Sequence, residues 1–145
     1  MRTKQGTEIT TRYIQNNLTY TVMKKRILLV DDKGEFRRLV QIFLSKNYKV
    51  ETAENGLHAL ALLQNGYLPD IIVSDLMMPE IDGKVLVEQV KSSGLFQHIP
   101  IVILSSIDKS DKKIELIKSG AGDYLVKPFN PLELEVRIER LLKTA

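Results

Sequence analysis

The sequence predicts an α/β protein, a doubly wound five-stranded parallel sheet with helices on both faces. Three observations predict it. Short apolar runs alternate five times with amphipathic segments between Arg26 and Leu142. Several runs are almost continuously apolar, as strands buried on both faces must be. Helix-capping and helix-stopping residues punctuate the segments between them.

The elements follow in order. RILLV, Arg26–Val30, is a short buried strand. EFRRLVQIFLSKN sets Phe36, Leu39, Val40, Phe43 and Leu44 on one helical face. YKVETA alternates as a second strand, and ENGLHALALLQNG is a helix ended by Gly66. DIIVSD is strand three. DGKVLVEQVKSSG is helix three, with Asp82 as N-cap and Gly94 as its stop. PIVILS is strand four, and DKKIELIKSG is a helix closed by Gly120. DYLV is strand five. NPLELEVRIERLL is the last helix, with Asn130 as N-cap and Pro131 at the first helical position.

Composition bounds the function. The 145 residues suffice for one domain, and the absence of cysteine excludes disulfides, thiolate metal sites and a cysteine nucleophile. No apolar run approaches the ~20 residues of a membrane span, and the N-terminus has no secretory signal. The net charge of +3 is unevenly spread. Residues 1–26 hold six Lys/Arg and one acid, whereas the remaining 119 hold 15 basic and 17 acidic side chains. The domain proper therefore has no basic face that would argue for nucleic acid.

Right-handed crossovers bring the C-terminal strand ends to one edge, where such sheets bind ligands. Asp31 and Asp32 follow strand one, Asp75 ends strand three, Ser105 and Ser106 end strand four, and Lys127-Pro128 follow strand five. Three clustered acids repel one another unless positive charge sits among them. A divalent cation and one lysine would supply it, and all-oxygen ligands favour Mg²⁺ over zinc. The pattern suits phosphoryl chemistry, with Asp75 as candidate nucleophile.

LLVDD, DIIVSDLMMPEIDG, PIVILSS and GAGDYLVKPF resemble the receiver domain of bacterial two-component response regulators, the family that includes the chemotaxis regulator. The resemblance covers residues 25–143. It implies a flavodoxin-like fold with strand order 2-1-3-4-5 in a cytoplasmic phosphoprotein. It implies that Asp75 accepts a phosphoryl group from a sensor histidine kinase or phosphotransfer protein. Mg²⁺ would bind Asp32, Asp75 and the backbone carbonyl of Met77, with Asp31 holding a metal-bound water. Ser105 would be the switch hydroxyl, Tyr124 the switch aromatic, and Lys127 the contact to a phosphoryl oxygen. The Lys127–Pro128 bond is typically cis in this family.

Other features have simpler readings. Single aspartates after strands are usually caps, and only the constellation lifts Asp31, Asp32 and Asp75 above that. Ser106 reads as a small structural residue, and His58 and His98 as surface or packing residues. Gly120-Ala121-Gly122 precedes a strand, so it is no dinucleotide loop.

Two departures from the family pattern matter. Met77 and Ile107 are apolar where the chemotaxis regulator has polar residues that help dephosphorylation, so slow self-dephosphorylation is expected. Gly122 replaces an Asp common in relatives. The expected output face is the fourth helix, fifth strand and fifth helix. There Lys113, Asp123, Glu133 and Arg137 match positions that form ion pairs across a dimer in relatives, giving Lys113–Glu133 and Asp123–Arg137 between subunits.

Residues 1–24 read as a disordered extension, a weak hairpin around Asn16-Asn17, or sequence upstream of a start at Met23. The favoured function is a phosphorylation-dependent switch, with no turnover beyond self-phosphorylation and slow autodephosphorylation. It stands alone or is part of a longer DNA-binding regulator. A flavodoxin-like cofactor carrier would need a Gly- and hydroxyl-rich phosphate loop where DDKGEF stands. A Mg²⁺-dependent phosphatase would want a second acid where Met77 stands.

Overall fold

A computed structural model describes residues 10–15 and 18–144. The strands in chain order are β1 (Thr10–Gln15), β2 (Leu18–Met23), β3 (Arg26–Val30), β4 (Lys49–Ala53), β5 (Ile71–Asp75), β6 (Ile101–Ser105) and β7 (Asp123–Val126). The helices are α1 (Gly34–Leu44), α2 (Gly56–Gln64), α3 (Gly83–Lys91), α4 (Ser110–Lys118) and α5 (Pro131–Thr144).

Strands β3 to β7 form one sheet in the order β4-β3-β5-β6-β7, and all its pairings are parallel. Counted from Arg26, that is the expected order 2-1-3-4-5. Successive residues of a strand point to opposite faces. Thus Leu28 and Val30 join the core shared with α2, α3 and α4, while Ile27 and Leu29 join the core shared with α1 and α5. β5 and β6 are buried at every position, which is why their sequences are almost continuously apolar.

The expected caps are present. Asp82 accepts from Val85 N at 2.9 Å, and Asn130 accepts from Leu132 N at 2.9 Å. Gly66 and Gly120 take positive φ just past α2 and α4, the left-handed turn that glycine adopts without strain. Helix three stops earlier than Gly94. Ser92 closes α3, and Ser93 Oγ then accepts from Leu95 N and Phe96 N, capping a new turn that contains the glycine.

The leader contributes β1 and β2, an antiparallel pair with Gln15 opposite Leu18 that forms its own two-stranded sheet. Asn16 and Asn17, the centre of the expected hairpin, lie outside the described residues, as do residues 1–9. Lys24 Nζ donates to the carbonyls of Ser45 and Lys46 at 3.2 and 3.3 Å, satisfying acceptors at the end of α1. Among the described residues, no helix is long and apolar enough to cross a membrane.

Candidate functional site

The chain leaves β3 for β4 on one side and returns to β5 on the other. The crevice beyond β3 and β5 is therefore where strand order reverses. Asp31, Asp32 and Asp75 converge there, with one carboxylate oxygen from each lying within 4.8 Å of the others. Asp31 and Asp75 are buried, and Asp32 opens to solvent.

Each carboxylate is positioned locally. Asp31 Oδ1 accepts from Lys33 N at 2.8 Å, and Arg37 Nη1 donates to the Asp31 carbonyl at 2.7 Å. Asp75 ends β5, where Leu76 N continues the ladder to Leu104 O. Gly83 N then donates to Leu76 O at 2.8 Å, bringing the start of α3 onto the end of β5. A Cβ at Gly83 would lie 2.7 Å from Asp75 O, so only glycine permits this approach. Between them Glu80 has φ 66, a left-handed conformation that costs a non-glycine residue about 1–2 kcal/mol.

Lys127 reaches over from the end of β7. Its Nζ lies 3.1 Å from Asp75 Oδ1 and 3.6 Å from Asp31 Oδ2. The Lys127–Pro128 bond is cis, as the resemblance implied. Asp31 Oδ2 and Asp75 Oδ2 are buried without a hydrogen-bond partner. Burial raises the Asp31 carboxyl above its ordinary pKa, Lys33 N–H opposes that, and the neighbouring Asp75 charge adds to it. Unbonded buried carboxylate oxygens are costly. Two of them beside a third acid, with one lysine between them, fit a hard, oxygen-seeking divalent cation.

Ser105 is buried, and its Oγ accepts from Ile107 N at 3.0 Å. Tyr124 is also buried, and its hydroxyl donates to Ile107 O at 2.7 Å. Ser105 and Tyr124 therefore meet on one residue, Ile107. Met77 is 58% exposed two positions beyond Asp75, and Ser106 is exposed beside Ser105. His58 is exposed, and its Nδ1 accepts from Glu54 N at 3.2 Å.

The four expected interface residues find partners within one chain. Arg137 pairs with Asp123 at 2.8 Å and with Glu133 at 2.7 Å, and Lys113 pairs with Asp108 at 2.9 Å. Sequence reasoning missed Arg37, and it placed Phe36 only on the core face of α1. Phe36 also stands against Lys127, with Nζ 4.2 Å from the ring centroid. The available signal was its place in the first turn of the helix that follows the paired aspartates.

Residues 27–139 match the family model of the response regulator receiver domain. The chain belongs to that family, the receivers of two-component systems. It is 39% identical over 123 residues to a probable transcriptional regulator, ycf27, of Cyanophora paradoxa, covering 84% of this chain and 50% of that protein. It is 37% identical over 117 residues to the sensor histidine kinase TmoS of Ectopseudomonas mendocina, covering 81% of this chain and 12% of the kinase. The chain thus spans at most half the length of these two relatives. Among solved structures it resembles the chemotaxis response regulator CheY4 of Vibrio cholerae, with a TM-score of 0.76 and 36% identity over 81% of this chain and 98% of that one.

Proposed function

We propose that this receiver is a phosphorylation-dependent switch whose phosphoacceptor is Asp75. The observation that carries this reading is the Asp75 carboxylate. It is buried, one oxygen is held by Lys127 and the other is unbonded among acids at the crevice. An Asp75 oxygen attacks the phosphorus of a phosphohistidine on a kinase or phosphotransfer protein. The O–P bond forms as the P–N bond breaks, and the imidazole leaves with the electron pair and takes up a proton. Asp31, Asp32, Asp75 and the Met77 carbonyl would hold Mg²⁺, which when bound offsets charge on the phosphoryl oxygens. Lys127 turns from the carboxylate to a phosphoryl oxygen.

Ser105 and Tyr124 carry the signal outward. A phosphoryl group on Asp75 attracts the Ser105 hydroxyl as donor. Drawing on that hydroxyl loosens its bond from Ile107 N, and Ile107 O is where Tyr124 is anchored. The β6–α4 loop and the face of α4, β7 and α5 are thereby biased between two arrangements. The receiver spans 25–143 on this reading, and the leader strands β1 and β2 pair in their own sheet.

Intact mass after incubation with acetyl phosphate tests the reading. Wild type should gain one phosphoryl group, about 80 Da, only with Mg²⁺, and Asp75→Ala should gain none. An equal gain in both would reassign the acceptor.

The transcriptional-regulator relative, half of which the chain spans, favours a second reading. In it the switched face controls a DNA-binding output in the same polypeptide rather than a separate partner. Immunodetection of the native polypeptide separates the two. A band near 16.5 kDa fits a separate partner, and a band near twice that mass fits an attached output.

A further inference from the structure

We infer that Phe36 is a positioning residue for the acceptor chemistry, its ring holding the Lys127 ammonium at the crevice. The inference rests on the reading of Asp75 as phosphoacceptor. Lys127 Nζ lies 4.2 Å from the Phe36 ring centroid, well inside the range over which a ring attracts a cation. Its other contacts are Asp75 Oδ1 at 3.1 Å and Asp31 Oδ2 at 3.6 Å. The ring is itself fixed. Phe36 lies in the first turn of α1, directly after the Asp31-Asp32 loop. Phe129, two residues beyond Lys127, meets it edge to face, with centroids 6.1 Å apart and planes at 87°.

The chemical nature of the partner matters. A lysine side chain has four rotatable bonds and loses much freedom when its head is fixed. Phosphorylation converts the Asp75 carboxylate to an acyl phosphate, a mixed anhydride, so Lys127 must release the carboxyl oxygen without leaving the site. A third carboxylate in place of Phe36 would capture the ammonium and its donors. A ring attracts the charge through its face yet competes weakly for the N–H groups, which remain available to a phosphoryl oxygen. Phe36 also packs against the core that α1 shares with the sheet. A purely structural role would depend on the shape of the side chain and not on the electron density of its ring.

The test is the rate of the Asp75 adduct with acetyl phosphate and Mg²⁺, read by intact mass. Wild type is compared with Phe36→Leu, Phe36→Tyr and a series of ring-fluorinated phenylalanines at position 36. Phe36→Leu is also made in a Lys127→Met background. Phe36→Leu should be about two- to thirty-fold slower, and Phe36→Tyr close to wild type. The rate should fall stepwise with fluorination, which weakens the ring's negative face with little change of shape. Phe36→Leu should add no further loss once Lys127 is gone. A fluorinated series at the wild-type rate, or the same fold loss with and without Lys127, would overturn the inference. No adduct on wild type would instead overturn the acceptor reading and remove the basis of this one.

Discussion

Lys127 Nζ stands between Asp75 Oδ1 and Asp31 Oδ2, at 3.1 and 3.6 Å, so one ammonium serves two buried carboxylates. Removing it leaves both acids without that charge and deprives a transferring phosphoryl group of a positive partner. Lys127→Ala should slow adduct formation from acetyl phosphate about a hundredfold or more. A time course of intact mass checks this, and a variant within twofold of wild type would contradict it.

Asp31 gives a pH dependence whose sign is set by burial. Its folded pKa lies above the ordinary 3.8, so the folded state holds the proton more tightly than the unfolded chain. The stability this confers is present in full below pH 3.8 and is lost as pH rises through the folded value. Asp31→Asn should therefore raise the Tm at neutral pH without Mg²⁺, and the gain should vanish on acidification. Mg²⁺ should narrow the gap by stabilising the wild-type carboxylate. Thermal melts with chelator and with Mg²⁺ read both effects, and an Asn variant less stable than wild type in chelator would refute the first.

Met77, 58% exposed, and the half-buried Ile107 offer no polar group to orient a water on a phosphorylated Asp75. The adduct should persist for minutes or longer. Met77→Asn combined with Ile107→Gln should shorten its life by about tenfold or more. Decay of the mass shift after removal of acetyl phosphate measures it, and a wild-type half-life of seconds would defeat the argument.

Gly83 lets α3 start against the backbone of Asp75, since a Cβ there would lie 2.7 Å from Asp75 O. Gly83→Ala should destabilise the domain by about 1–3 kcal/mol and displace the end of β5 that carries Asp75. Urea denaturation gives the first quantity and the adduct rate the second. A fully stable, fully reactive alanine variant would show that the contact yields freely.

Arg137 is already paired with Asp123 and Glu133 of its own chain. A dimer through α4, β7 and α5 would have to exchange these pairs between subunits, and each is worth only ~0–1 kcal/mol when exposed. If the phosphorylated chain dimerises this way, sedimentation should show its mass doubling and Arg137→Glu should abolish the change. A phosphorylated mass unaffected by Arg137→Glu would remove the support for this face.

Periodicity, capping residues and apolar runs are local properties, and by themselves they determined the five strand–helix units and the parallel sheet, while the motifs around Asp31, Asp75, Ser105 and Lys127 carried the family resemblance. The chirality of crossovers then sufficed to gather Asp31, Asp32, Asp75 and Lys127 at one edge, because strand ends are countable in a sequence. Helix three was the local exception, ending at Ser92 before Gly94 is reached, with the Ser93 hydroxyl capping the next turn by accepting from Leu95 N and Phe96 N. Only the tertiary structure decided which side chains touch. It set the Phe36 ring against Lys127, closed Arg137 onto Asp123 within the chain, and tied Tyr124 to Ile107 O across 17 positions. Such contacts depend on side-chain direction and on ångström-scale offsets between elements distant in sequence, and no local pattern encodes those distances.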